Sequence, residues 1–262
     1  MASDLNLIVQ TLDELLQPEN YRKADISWNG LQVEAANPSI KKVGVAVDGA
    51  LSVIEQAVSL SCDLLIVHHG LFWGESPSPM VSGSMGKKIR ALIEGGCSLY
   101  ASHLPLDGNE QVGNAFELAR ELKLKELEAS FEYHGATVGV LGRLSAPVSF
   151  EQFRDQVFKT VIPDGSNPIT CELPFGPEKI QTVGVATGSA SSLLEDAKSL
   201  GCDLLLSGEP KHEAYHLAKE VEIHGLFAGH YLTETYGVKA VGKFLEEKLK
   251  IEAVFIDEPS GI

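Results

Sequence analysis

Positive charge is scarce in this 262-residue chain: Lys and Arg number 21 against 36 Asp and Glu, a net charge of −15. Broad electrostatic binding to DNA or to an anionic membrane needs clustered Lys and Arg, so nucleic acid ranks low among partners and a membrane surface is not expected. Long apolar runs are missing too, since none approaches the roughly 20 residues of a spanning helix. The four cysteines (Cys62, Cys97, Cys171 and Cys202) form no C-x-x-C pair. They argue against a disulfide framework and read as reduced thiols in a cytoplasmic protein. Familiar nucleotide and nucleophile motifs fail as well. GSMGKK at 83–88 has Val81 where a phosphate loop needs its first glycine, and Lys88 where it needs Ser or Thr. No G-x-G-x-x-G follows a strand, and no G-x-S-x-G elbow occurs.

What remains is ordinary in bulk, 44% hydrophobic and 22% charged, and long enough for one large α/β domain or two smaller ones. At the N-terminus, Leu5, Ile8, Leu12, Leu15 and Leu16 recur at helical spacing. That predicts an amphipathic helix with Ser3 as its N-cap, rather than a secretory leader.

The chain repeats itself. Residues 41–70 (KKVGVAVDGALSVIEQAVSLSCDLLIVHHG) and 181–210 (QTVGVATGSASSLLEDAKSLGCDLLLSGEP) align without a gap and are identical at about half their positions. Each copy reads as a β-branched strand, a turn, an amphipathic helix and a second apolar strand entered at Cys62 or Cys202. Strand, helix, strand predicts a right-handed βαβ crossover with a parallel pair. Only the first copy goes on to carry histidines, so a packing role is favoured for both thiols. A second match, SLYASHLPLD (98–107) with GLFAGHYLTE (225–234), lies downstream. Between the copies a strand is expected to end near Gly142 and a helix to start about Ser149, where Ser-x-x-Gln makes a capping pattern. IPDGSNPITCELPFGPEK reads as loop. The expected fold class is α/β, with two related halves, approximately 1–128 and 129–262.

His68 and His69 stand where an apolar strand gives way to the loop GLFWGESPSP, the place outside the carboxyl end of a parallel strand where ligands bind in α/β sheets. Adjacent strand residues point to opposite sides, so each imidazole is expected to serve a different ion. His103 with Asp107, and His230 with Glu234, put an imidazole and a carboxylate four residues apart, on one face of a helical turn or converging across a tight loop. Such donors suit Zn, Mn, Fe, Co or Ni, and five or six of them suit two divalent ions bridged by a carboxylate. His103 reads either as a ligand or as the residue that orients Asp107. The second copy has SGE (Ser207–Glu209) in place of the histidines, so one composite site per chain is expected. Glu209 and His216 either line that site or lie on a solvated helix face. His134, His212 and His224 read as structural or exposed. Phe72 and Trp73 read as pocket wall or as core.

NGLQVE (Asn29–Glu34), VHHGLFWGESP, LYASHLPLD, GVLGRL, SGE and AGHYLTE together resemble the NIF-three-like family, along essentially the whole chain and in order. Bacterial members of the YbgI type are often labelled GTP cyclohydrolase 1 type 2 homologues. The resemblance implies a two-part α/β protein with a dinuclear metal centre in the cleft between the parts. It assigns the metal ligands to His68, His69, Asp107, His230 and Glu234, with Glu234 as the bridge, and implies a homo-hexameric toroid. The expected activity is a metal-dependent hydrolase acting on a nucleotide or heterocycle, with His103 or Glu209 shuttling a proton. A non-catalytic metal-binding scaffold or interaction protein is the alternative.

Overall fold

The computed structural model describes residues 2–74, 80–163 and 165–262; the end of the GLFWGESPSP loop reading, 75–79, lies outside the described residues. In chain order the first elements are β1 (Ser3–Asp4), α1 (Leu5–Leu16), β2 (Gly30–Val33), β3 (Ser39–Ile40), β4 (Lys42–Asp48), α2 (Leu51–Ser59) and β5 (Leu64–His69). Then come α3 (Gly83–Glu94), β6 (Ser98–Ala101), α4 (Leu104–Asp107), α5 (Asn114–Glu121), β7 (Lys125–Tyr133) and β8 (Ala136–Val148). They are followed by α6 (Phe150–Val161), β9 (Cys171–Pro174), β10 (Ile180–Val185), α7 (Leu194–Ser199), β11 (Leu204–Ser207) and α8 (Ala214–Glu220). The chain closes with β12 (His224–Phe227), α9 (His230–Thr233), α10 (Thr235–Leu249) and β13 (Glu252–Phe255). Among the described residues no helix is long and apolar enough to cross a membrane.

Two compact units result, 1–106 with 237–258, and 107–236 with 259–262. They differ from a single cut near residue 128. The C-terminal β13 returns to pair in parallel with β4, while β7 pairs with β8 and so belongs to the second sheet. Pairing partners that distant leave no composition signal at the boundary.

In the first unit the sheet order is β13-β4-β5-β6-β2, all parallel except β2. The strands β4 and β5 are almost wholly buried, as expected of parallel strands covered on both faces. Val53, Ile54 and Ala57 of α2 and Leu92 of α3 close the core over Leu65, Val67 and Leu99. Each fully buried Leu or Ile there contributes about 1.5–3 kcal/mol relative to exposure. Asp4, not Ser3, caps α1: its side chain accepts from the Asn6 N–H, while Ser3 pairs with Ile40 in the small β1–β3 ladder.

The second unit's sheet runs β7-β8-β10-β11-β12-β9. Its centre repeats the first unit's βαβ plan residue for residue. Val43 and Gly44 face Leu64 and Leu65, and Val183 and Gly184 face Leu204 and Leu205. The Asp63 carboxylate accepts from the Lys41 and Lys42 N–H groups; Asp203 accepts from those of Gln181 and Thr182. Cys62 and Cys202 are buried, each with Sγ 3.3 Å from where a Cβ on Gly44 or Gly184 would stand. Burial pushes their thiols up to about 11 and about 12, so both are packing residues rather than reactive ones.

Three local expectations change. β8 runs on through Gly142 to Val148, and Ser149 then caps α6 with the reciprocal Gln152 bond that its Ser-x-x-Gln spacing predicts. CELP, expected as loop, is β9, an edge strand antiparallel to β12. Its proline lies at the strand end, where a missing N–H costs least. The downstream match is also shifted. Ser98 and His224 hold the same ladder position beside Leu64 and Leu204, so one more residue separates the strand from His230 than from His103. Gly229, at φ 101°, takes up that residue.

Candidate metal centre

The first unit gathers His68, His69 and His103, whose candidate ligand nitrogens all lie within 4.8 Å of one another. β5 delivers the first two and the turn after β6 delivers the third. The His68 and His69 ring centroids are 4.6 Å apart and both rings belong to the same group of three, so the expectation that they face opposite sides does not hold, although both residues lie within β5. His68, fully buried, bonds through Nδ1 to the Ser102 carbonyl at 2.9 Å. His69 bonds through Nδ1 to Asp48 Oδ1 at 2.8 Å, across the β4–β5 ladder. His103 bonds through Nδ1 to Asp25 Oδ1 at 2.9 Å, and its N–H donates to Asn29 Oδ1. Burial works against ionising Asp25. The bond and charge of His103, with donors from Asn29 and the Ser27 N–H, still hold its carboxyl below the ordinary value.

Two further contacts shape this loop. Gln32 of β2 accepts from the Leu71 N–H and fills the space against Gly70, where any Cβ would collide with it. Trp73 walls the histidines, edge-on to His103 at 4.9 Å, with Nε1 donating to the Gly70 carbonyl. Phe72 instead packs against the core.

The second unit carries Asp107, Glu209, His230 and Glu234. Buried Asp107 accepts at Oδ1 from Asn114 Nδ2 (2.9 Å) and Thr187 Oγ1 (3.0 Å). Those two hold it within its own unit, whereas the described bond of the His103 ring goes to Asp25. His230 opens α9 and lies between two carboxylates: Glu209 Oε1 is 3.1 Å from Nδ1, and Glu234 Oε2 is 3.1 Å from Nε2. The i,i+4 spacing thus meets on one helical face, as expected. Burial alone would lower the His230 pKa, but bonds and charges from Glu234 and then Glu209 outweigh it and raise it to about 9. His216 is exposed on α8, edge-on to Tyr215, and takes no part.

This donor chemistry fits divalent ions. His68 and His69 each have Nδ1 against an oxygen acceptor, which sets the proton on Nδ1 and makes Nε2 the lone-pair nitrogen, whereas His230 has a carboxylate oxygen at both ring nitrogens. An imidazole flanked by two carboxylates also demands positive charge, met by a second proton or by a cation.

Sequence reasoning missed Asp25, Asp48, Asn114, Thr187 and Gly188. Asp48 carried a readable signal, since it ends the strand that pairs with the histidine strand. Gly188 is its counterpart in the second copy, and any Cβ there would strike Glu234 Oε1. Likewise Gly208 replaces His68, because a Cβ would come within 2.7 Å of the His230 Cα, and Glu209 replaces His69.

Comparison with known proteins agrees with this architecture. A GTP cyclohydrolase 1 type 2 homolog of Archaeoglobus fulgidus is 36% identical over 255 residues, spanning 97% of this chain and 98% of that protein. The solved structure of the protein ybgI, of unknown function, superposes with a TM-score of 0.88 at 30% identity, covering 99% of this chain and all of that one. A Thermus thermophilus protein gives a TM-score of 0.87 at 38% identity over 99% of this chain and all of its own. The model of the Duf34/NIF3 (NGG1p interacting factor 3) family matches residues 3–260, and the chain belongs to that family.

Proposed function

We propose that His68, His69, Asp107, His230 and Glu234 hold two divalent ions, and that the chain is a metal-dependent hydrolase of a nucleotide or heterocycle. The observation that carries this reading is the anchoring of three imidazoles at Nδ1 by oxygens of Ser102, Asp48 and Glu209. Ions held by such donors activate water and polarise an electrophile near neutral pH. Within the chain, His103 is the group to carry a proton, because Asp25 fixes the orientation of its ring beside the other imidazoles. Glu209, expected beside His103 as a proton shuttle, is recast as the residue that orients His230. Trp73 limits water on the histidine side. The names of the curated relatives favour a purine nucleotide as substrate. A homo-hexamer is part of the same proposal.

The second reading, a metal-binding scaffold without turnover, draws on the family's description as an interacting factor. Metal content per chain, measured by mass spectrometry on untagged protein prepared without chelator, tests the first. About two ions are expected in the wild type and about one in His69→Ala. No metal, and no uptake of Zn, Mn or Fe, would overturn it. Turnover of GTP or another heterocycle that is lost in Glu234→Gln, with the oligomer intact by light scattering, supports the hydrolase. Bound metal and intact assembly without turnover supports the scaffold.

A further inference from the structure

A cavity of about 590 Å³ opens in the first unit, its wall including Arg22, Lys23, Asp25, Ser27, Trp28 and Asn29. That volume lies in the range of small-molecule sites, which combine an apolar face with a few placed polar groups. The apolar face here is Trp28, 47% exposed. Its indole is fixed, with Nε1 donating to the Gly74 carbonyl at 2.9 Å and the ring tilted on Phe72 at 5.8 Å between centroids. The placed polar group is Ser27, only 6% exposed. Its N–H donates to Asp25 and its carbonyl accepts from Asn29, so the backbone is pinned. Its Oγ, however, has no hydrogen-bond partner among the described residues. A buried hydroxyl left so is uncommon and marks a place where something else bonds. The charge comes from Lys23, exposed and in no ion pair among the described residues, whereas Arg22 is paired with Glu19.

A fixed aromatic face, an unanswered hydroxyl and one available ammonium call for a flat ring, an edge that hydrogen-bonds, and an anion. We propose that this cavity binds a planar heteroaromatic ligand bearing an anionic group, the chemistry of a nucleoside monophosphate. The site needs no metal and stands apart from the hydrolase reading. It shares two residues with it, since the Asp25 and Asn29 in its wall are also the partners of His103.

The chain has two tryptophans, so Trp73→Phe leaves Trp28 as the only indole reporter. GMP titrated into that variant is expected to quench Trp28 fluorescence saturably, and equally with or without a chelator. Ser27→Ala and Lys23→Ala, added singly, should each weaken binding about tenfold, the value of one good hydrogen bond or ion contact. Guanosine should bind about tenfold more weakly, and inorganic phosphate alone should leave the fluorescence unchanged. Thermal melts establish that each variant is folded. Absence of saturable quenching by GMP or AMP at millimolar concentration would overturn the proposal. So would undiminished binding in both folded variants. Binding abolished by the chelator would assign the ligand to the metal residues and overturn the cavity, without touching the hydrolase reading.

Discussion

Gly188 concentrates the logic of the second unit in one residue. It has φ 64°, its carbonyl accepts from Gly208 N–H, Glu209 N–H and Ser207 Oγ, and the Glu234 carboxylate lies against its missing side chain. Asp48 occupies the same place in the first copy and holds His69. One position therefore serves two ends: a carboxylate that orients an imidazole, or an absence that admits a carboxylate. Gly188→Ala is expected to cost about 1–2 kcal/mol from the left-handed backbone alone, and to drive Glu234 from its seat. The denaturant midpoint should fall, and metal per chain should fall with it. A variant that keeps its full metal content would show that Glu234 does not need this space.

Among the elements, β12 carries a histidine outside the groups of candidate metal donors. His224 Nε2 donates to the Pro177 carbonyl at 2.8 Å, and Nδ1 accepts from the Gly176 N–H at 3.1 Å, tying the turn after β9 to β12. That arrangement needs the neutral ring, because a proton on Nδ1 would face another donor. Burial lowers the His224 pKa, outweighing the Pro177 bond and the charges of Asp203 and Glu151. A depressed histidine stabilises fully above its unfolded value, about pH 6.5, and loses that contribution as pH falls below it. The wild type should therefore lose more Tm between pH 7.5 and 5.5 than His224→Gln does. Equal losses would place the sensitivity elsewhere. At this scale the strands and helices of the two βαβ copies were legible, since VGVA, CDLL and the amphipathic helices are local patterns. β9 was not, because four residues flanked by proline and glycine become a strand only through β12, some fifty positions on. Nor were the residues that hold the candidate donors in place: Asp25 and Thr187 matter through partners distant in sequence, and Asn114 through a side-chain bond to Asp107 that no local pattern announces.

At the scale of the whole chain, duplication supplied two copies of one scaffold, and divergence at the strand ends gave them different work. The first copy carries imidazoles at His68 and His69. The second has Gly208 and Glu209 at those positions, and its candidate donors come from α9 and from the end of α4. The carboxylates around His69 and His230 concentrate part of the net charge of −15 at one place in each unit. Bound cations should therefore stabilise the folded chain strongly. Ligand at a hundred times its Kd adds about 2.7 kcal/mol to the state that binds it. For a chain of this size that corresponds to a Tm rise of about 5–10 °C. Adding Mn or Zn to chelator-treated protein should produce that rise in the wild type and much less in Glu234→Gln, which keeps the shape of the side chain but not its charge. Because the unliganded variant loses one carboxylate facing His230, its own Tm without metal gives the baseline against which the metal increment is read. An increment as large as that of the wild type would remove Glu234 from the ligand set and leave the histidines of the first unit to account for the binding.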